Sequence, residues 1–127
     1  MKLLLDTHIY LWLRSGDPRL AEGFLAAIVD EANIKYVSSI SLAEIAIKIS
    51  IGELSAAAES ALDLSVGFDP LAFEPAHAQT LASLPLLHRD PFDRMLVAQA
   101  LTDELVFLTA DPRCRAYGVK ELHQDRE

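Results

Sequence analysis

Short apolar runs alternate along the chain with segments whose apolar residues recur every three or four positions, the pattern of strands interleaved with amphipathic helices. Residues 2–5 form the first apolar run, which stops at Asp6, and residues 7–13 read as a short helix or turn. Asp17-Pro18 offers an N-cap and a first helical position, and Leu20, Phe24, Ile28 and Ala32 carry a helix to about residue 32. Residues 35–38 read as a second strand. Ser41 is expected to open a helix with Leu42, Ile45 and Ile49 on one face, and Gly52 to end it. An alanine-rich helix is expected over 56–66, a third strand over 70–74, a helix over 75–84 and a loop over 86–89. Asp90-Pro91 then starts a strongly apolar helix to about Thr102, and residues 105–109 and 119–122 read as the fourth and fifth strands. Strands separated by helices imply a parallel sheet covered on both faces, an α/β sandwich.

Composition narrows the class. The 127 residues amount to a single domain, 1–127, and 51% apolar residues supply a core, which excludes a disordered acidic tail. Nineteen Asp and Glu against eleven Lys and Arg leave a net charge of −8. That balance excludes gripping nucleic acid by bulk charge, which needs a basic face. Cys114, the sole cysteine, cannot close an internal disulfide, so a reducing compartment is expected. The histidines (His8, His77, His88, His123) are scattered singly, which argues against a Cys/His zinc site. Asp6, His8 and Arg14 interrupt the N-terminal apolar region, and no stretch approaches the ~20 apolar residues of a membrane span. A soluble cytoplasmic protein is expected.

Four acids each have an ordinary explanation. Asp6 can cap the turn after the first strand, and Glu44 closes a capping-box pattern, Ser41-Leu42-Ala43-Glu44, with Lys48 as an ion-pair partner one turn on. Asp90 precedes Pro91 as an N-cap, which puts Asp93 at the third helical position, and Asp111 precedes Pro112 as another cap. Together they say more. Asp6 and Asp111 follow strands, while Glu44 and Asp93 lie in first turns of helices. In a parallel sheet all four then face the rim where strands end and ligands bind. Carboxylates gathered there repel one another unless a cation sits among them, and oxygen-only donors select a hard ion, Mg²⁺ or Mn²⁺.

The blocks Leu5-Asp6-Thr7-His8, Ser41-Leu42-Ala43-Glu44-Ile45, His88-Arg89-Asp90-Pro91-Phe92-Asp93-Arg94-Met95 and Leu108-Thr109-Ala110-Asp111 resemble the PIN domain, and in particular VapC-type toxins of bacterial type II toxin–antitoxin systems. The resemblance runs in order over essentially the whole chain. It implies a three-layer α/β/α sandwich with a mainly parallel central sheet. It also implies a metal-dependent endoribonuclease with Asp6, Glu44, Asp93 and Asp111 as the acidic quartet around Mg²⁺ or Mn²⁺, and Asp90 as an additional acid. An RNA substrate, a cognate antitoxin and a homodimer are the partners it implies.

Thr7, Ser39 and Thr109 are candidates for orienting ligands, and Arg89, Arg94, Arg113 and Lys48 for local positive charge, with Arg94 pairing to Asp90 as its ordinary role. Residues 9–13 are apolar on every face, so part of that run is expected to meet a partner. Rival readings fit less well. A haloacid-dehalogenase-type phosphatase needs a second Asp where His8 stands, and a receiver-type domain lacks its adjacent acids and late Lys. A non-catalytic PIN-like scaffold binding RNA or a partner is the alternative from another class, and the intact quartet weighs against it.

Overall fold

A computed structural model describes residues 1–64 and 67–122. The three leucines of β1 (Lys2–Leu5) are fully buried, because β1 is the centre of a five-stranded sheet. The other strands are β2 (Ile34–Ser38), β3 (Asp69–Leu71), β4 (Val106–Leu108) and β5 (Lys120–Glu121), in the order β3-β2-β1-β4-β5. Every pairing is parallel: Leu5 stands opposite Val37 on one side and Leu108 on the other. Parallel strands need crossovers, supplied by α1 (Thr7–Ser15), α2 (Glu22–Val29), α3 (Ser39–Ser50), α4 (Pro75–Ser83) and α5 (Pro91–Asp103).

Side-chain alternation along the strands divides the core in two. Leu3, Leu5, Val37 and Leu108 pack under Ile9 and Tyr10 of α1, Phe24 and Ile28 of α2, and Ile45 of α3. Leu4 and Phe107 face the other way, onto Leu96, Val97 and Ala100 of α5. Helices on both faces of a parallel sheet make the α/β/α sandwich that the pattern implied. Each buried leucine contributes about 1.5–3 kcal/mol, so β1 alone anchors much of the fold. It also sets the function. From β1 the chain runs outward to β2 and β3, then returns to place β4 on the other flank, so strand order reverses at β1 and leaves a crevice at its carboxyl end.

Several boundaries differ from expectation for local reasons. The second helix starts at Glu22 rather than Pro18, because the Asp17 carboxylate accepts from the backbone and guanidinium of Arg19 and closes a turn. It ends at Val29, where the Asp30 carboxylate caps a second turn onto Ala32 N–H. α3 starts at Ser39, with Ser38 as its N-cap, so the Ser41–Glu44 capping box does not form. Residues 56–62 form a 3-10 helix (Ala56–Leu62) in place of the expected α-helix. Carbonyls of Ser60, Ala61 and Asp63 instead accept from Arg14 and Tyr10 of α1. The expected end of that helix, 65–66, and the lone His123 lie outside the described residues. The third strand is shorter than expected, at Asp69–Leu71, and a 3-10 helix over Pro112–Tyr117 was not anticipated.

Candidate active site

Asp6 ends β1 at the crevice and caps α1: its Oδ1 accepts from Ile9 N–H at 2.8 Å, and its Oδ2 accepts from the hydroxyl of Thr109 just beyond β4. Thr109 Oγ1 in turn accepts from Asp111 N–H at 3.0 Å, so one hydroxyl ties together the ends of the two strands that flank the reversal. Asp6 is only 4% exposed, and burial raises its carboxyl above the usual range against the pull of those two hydrogen bonds. Asp111 caps the 3-10 helix and is gripped from two sides, by Arg113 (backbone N–H, Nε and Nη2, 2.9–3.0 Å) and by His88 Nε2 at 3.1 Å. The Arg113 guanidinium holds its carboxyl down at about 2.

Glu44 enters from α3, one turn in, and is 2% exposed. Its Oε2 pairs with Lys48 Nζ at 3.0 Å, as the four-residue spacing implied, while Oε1 is buried with no hydrogen-bond partner among the described residues. An orphaned buried carboxylate oxygen costs free energy unless a cation or donor meets it. Asp93 stands at the third position of α5, beneath the Asp90 cap that accepts from Phe92 and Asp93 N–H. Burial, followed by repulsion from Asp90, Asp6 and Glu44, pushes Asp93 up to about 6. These couplings put Asp6, Glu44 and Asp90 near Asp93, and the His88 ring joins Asp111 to Asp93. No three of the four acids bring oxygens within 4.8 Å of one another, as expected of like charges.

Sequence reasoning passed over His88. Its ring is 4% exposed, and Nε2 contacts both Asp93 Oδ2 (3.0 Å) and Asp111 Oδ2 (3.1 Å). His88, Asp111 and Cys114 are the described residues whose donor atoms do fall within 4.8 Å of one another. They do not make a ready N/O/S metal site. Nδ1 accepts from Asp90 N–H at 3.2 Å, which places the ring proton on Nε2 and leaves that atom no lone pair. Burial and the nearby acids also push the Cys114 thiol up to about 12, so it stays protonated. Its sequence signal is its place at the head of the His88–Met95 block, two residues before the Asp90 cap.

The other candidates sort clearly. Thr109 orients Asp6, while Thr7 donates to Ser41 at 2.9 Å and braces α1 against α3. Ser39 accepts from Phe73 N–H instead. Arg94 does not pair with Asp90: its guanidinium donates to the Leu84 carbonyl. Residues 9–13 are also better covered than expected. Tyr10 is fully buried, and Arg19 lies over the Trp12 ring at 5.0 Å. Leu11 and Trp12 remain half-buried at a groove of about 420 Å³ between α1 and the Ala56–Leu62 turn.

Residues 3–120 match the family described as PIN domain. No curated protein matches the chain. Among solved structures, VapBC2 from Rickettsia felis bound to a promoter DNA fragment superposes with a TM-score of 0.78 at 17% identity, over 98% of this chain and 100% of that one. VapBC-1 from nontypeable Haemophilus influenzae gives 0.69 at 16% identity, over 99% and 100%. Mycobacterium tuberculosis VapC20, a sarcin-ricin loop cleaving toxin, gives 0.67 at 16%, over 95% and 98%. At such identities these likenesses speak to fold.

Proposed function

The chain belongs to the PIN domain family, and from that premise we propose that it is a divalent-cation-dependent endoribonuclease, the toxin of a VapC-type toxin–antitoxin pair. The observation that carries the reading is the acid cluster at the strand-order reversal, with Glu44 Oε1 buried and unpartnered among the described residues and Asp93 pushed up to about 6 by burial and its acidic neighbours. Such a cluster is unfavourable for folding by itself and fits an oxygen-ligated hard cation, Mg²⁺ or Mn²⁺. Asp6, Glu44, Asp93 and Asp111 would hold it. When bound, the ion supplies positive charge at the scissile phosphate and lowers the pKa of an attacking water.

The protein's own residues do the rest. Thr109 and Ile9 N–H fix the Asp6 carboxylate, so its orientation is set before substrate arrives. Asp93, pushed up to about 6 by burial and its acidic neighbours, would be a carboxylate suited to accept the proton of an attacking water. Lys48 lies against Glu44 at the rim and is a third exposed, so its ammonium can reach a phosphate oxygen. Arg113, two-thirds exposed beside Asp111, can do the same. These local cations answer the objection raised by a net charge of −8.

The partner side rests on the neighbours. A toxin–antitoxin complex from Klebsiella pneumoniae shares the fold, with a TM-score of 0.61 at 20% identity over 96% of this chain and 97% of that one. An antitoxin here would lay an apolar segment in the groove of Leu11, Trp12, Leu54, Ala57 and Ala58, and restrain a cytoplasmic toxin that pairs as a homodimer. Among the described residues no helix is long and apolar enough to cross a membrane. Expression of the chain without its antitoxin, followed by sequencing of newly created RNA ends, tests the reading and names the RNA. Discrete new ends that vanish with Asp6→Asn support it. Growth arrest without new ends would favour the non-catalytic scaffold.

A further inference from the structure

We propose that His88 is the positioning residue of this site, an imidazole whose Nε2–H is shared between Asp93 and Asp111 and fixes their separation. The inference rests on the metal-site reading above and adds a residue that the acidic pattern does not contain. Three anchors set the ring. Tyr117 Oη accepts from both Leu87 N–H (3.1 Å) and His88 N–H (2.9 Å), which pins the 85–90 loop to the 3-10 helix that Asp111 caps. Asp90 N–H then donates to Nδ1 at 3.2 Å, which assigns the proton to Nε2. Nε2 ends 3.0 Å from Asp93 Oδ2 and 3.1 Å from Asp111 Oδ2.

The ring therefore links the first turn of α5 to the loop after β4 by side-chain hydrogen bonds. Both Asp111 oxygens are already occupied by Arg113, whereas among the described residues Asp93 has no other side-chain donor. Asp93 thus depends on His88 for its rotamer, with Oδ2 turned to the ring and Oδ1 left for a cation. A donor in this place also offsets part of the repulsion on Asp93. His88 itself is 4% exposed, so the ring is held by its protein partners rather than by solvent.

Three variants separate positioning from mere packing. His88→Gln keeps an amide N–H near the Nε2 position, whereas His88→Asn places one only near Nδ1, and His88→Ala keeps neither. Mn²⁺ affinity, by calorimetry or the free-ion EPR signal, is expected to fall about 10- to 100-fold in His88→Asn and His88→Ala, the usual effect of removing a partner that orients ligands. His88→Gln is expected to recover most of that loss. The Mn²⁺ concentration for half-maximal RNA cleavage should rise in parallel while saturated kcat changes less. Parental affinity in His88→Asn, or an equal loss in His88→Gln and His88→Asn, overturns the proposal. A second measurement does not depend on variants folding: ¹⁵N shifts of the parent's histidines should show His88 as the Nε2–H tautomer, and an Nδ1–H ring refutes it. If the parent itself binds no Mn²⁺ while Asp6→Asn behaves identically, the metal-site reading has failed rather than His88's part in it.

Discussion

Asp93→Asn removes a charge that burial and three neighbouring acids disfavour. In the folded chain Asp93 titrates at about 6 against 3.8 for an ordinary aspartate, because burial and the charges of Asp90, Asp6 and Glu44 disfavour its ionised form. Two pKa units correspond to about 3 kcal/mol, and the partly open side chain reduces this to about 1–3 kcal/mol. With a raised native pKa, the favourable contribution is complete below about 4 and is lost as pH rises through 6. Without divalent ions at pH 7.5 the variant should therefore be more stable than the parent by that amount, roughly 4–10 °C in melting temperature. The amide Oδ1 still accepts from His88, so little is lost in exchange. Urea melts in EDTA at pH 4 and pH 7.5 check the reasoning: the gap should be near zero at the lower pH and open by the higher one. A variant less stable than the parent at pH 7.5, or a gap independent of pH, would refute the claim that like-charge crowding strains this site.

Three further outcomes are expected. Millimolar Mg²⁺ or Mn²⁺ should raise the parent's melting temperature, with about 2.7 kcal/mol of stabilisation at a hundredfold excess over Kd, and thermal-shift measurements should show no such gain in Asp6→Asn. Glu44→Gln should leave helix content by circular dichroism and stability within about 1 kcal/mol of the parent, since Lys48 is open enough to be solvated, yet lower cleavage at least about 100-fold. Thr109→Val keeps the side-chain shape but strips Asp6 of a donor and Asp111 N–H of an acceptor, so chemical denaturation should show a loss of about 1–3 kcal/mol.

What could be read from the chain was what repeats or caps. Alternating strand and helix periods placed all five strands near their observed positions and implied the layered architecture. Asp6, Asp90 and Asp111 proved to be helix caps as their neighbours implied, so for them structural and site positions coincide. Glu44 differs: with Ser38 as the cap, its carboxylate caps nothing and turns into the acid cluster, which strengthens the case for a site role. Turn chemistry won over periodicity where a polar side chain found a nearby backbone partner, as Asp17 did with Arg19 N–H and Arg14 with carbonyls nearly fifty residues away. His88 was illegible for a related reason. Its importance lies in meeting Asp93 and Asp111 across two elements, and a lone histidine in a loop carries no trace of that in sequence.

RNA cleavage by this protein is proposed to need a cation held by Asp6, Glu44, Asp93 and Asp111. The most direct measurement is cleavage of a long unstructured RNA by the purified chain, free of antitoxin, in Mg²⁺ and in EDTA, with Asp6→Asn in parallel. The expected result is cleavage by the parent in Mg²⁺, none in EDTA, and none by the variant at any Mg²⁺ concentration. Equal cleavage with and without the ion, or by parent and variant alike, would contradict it.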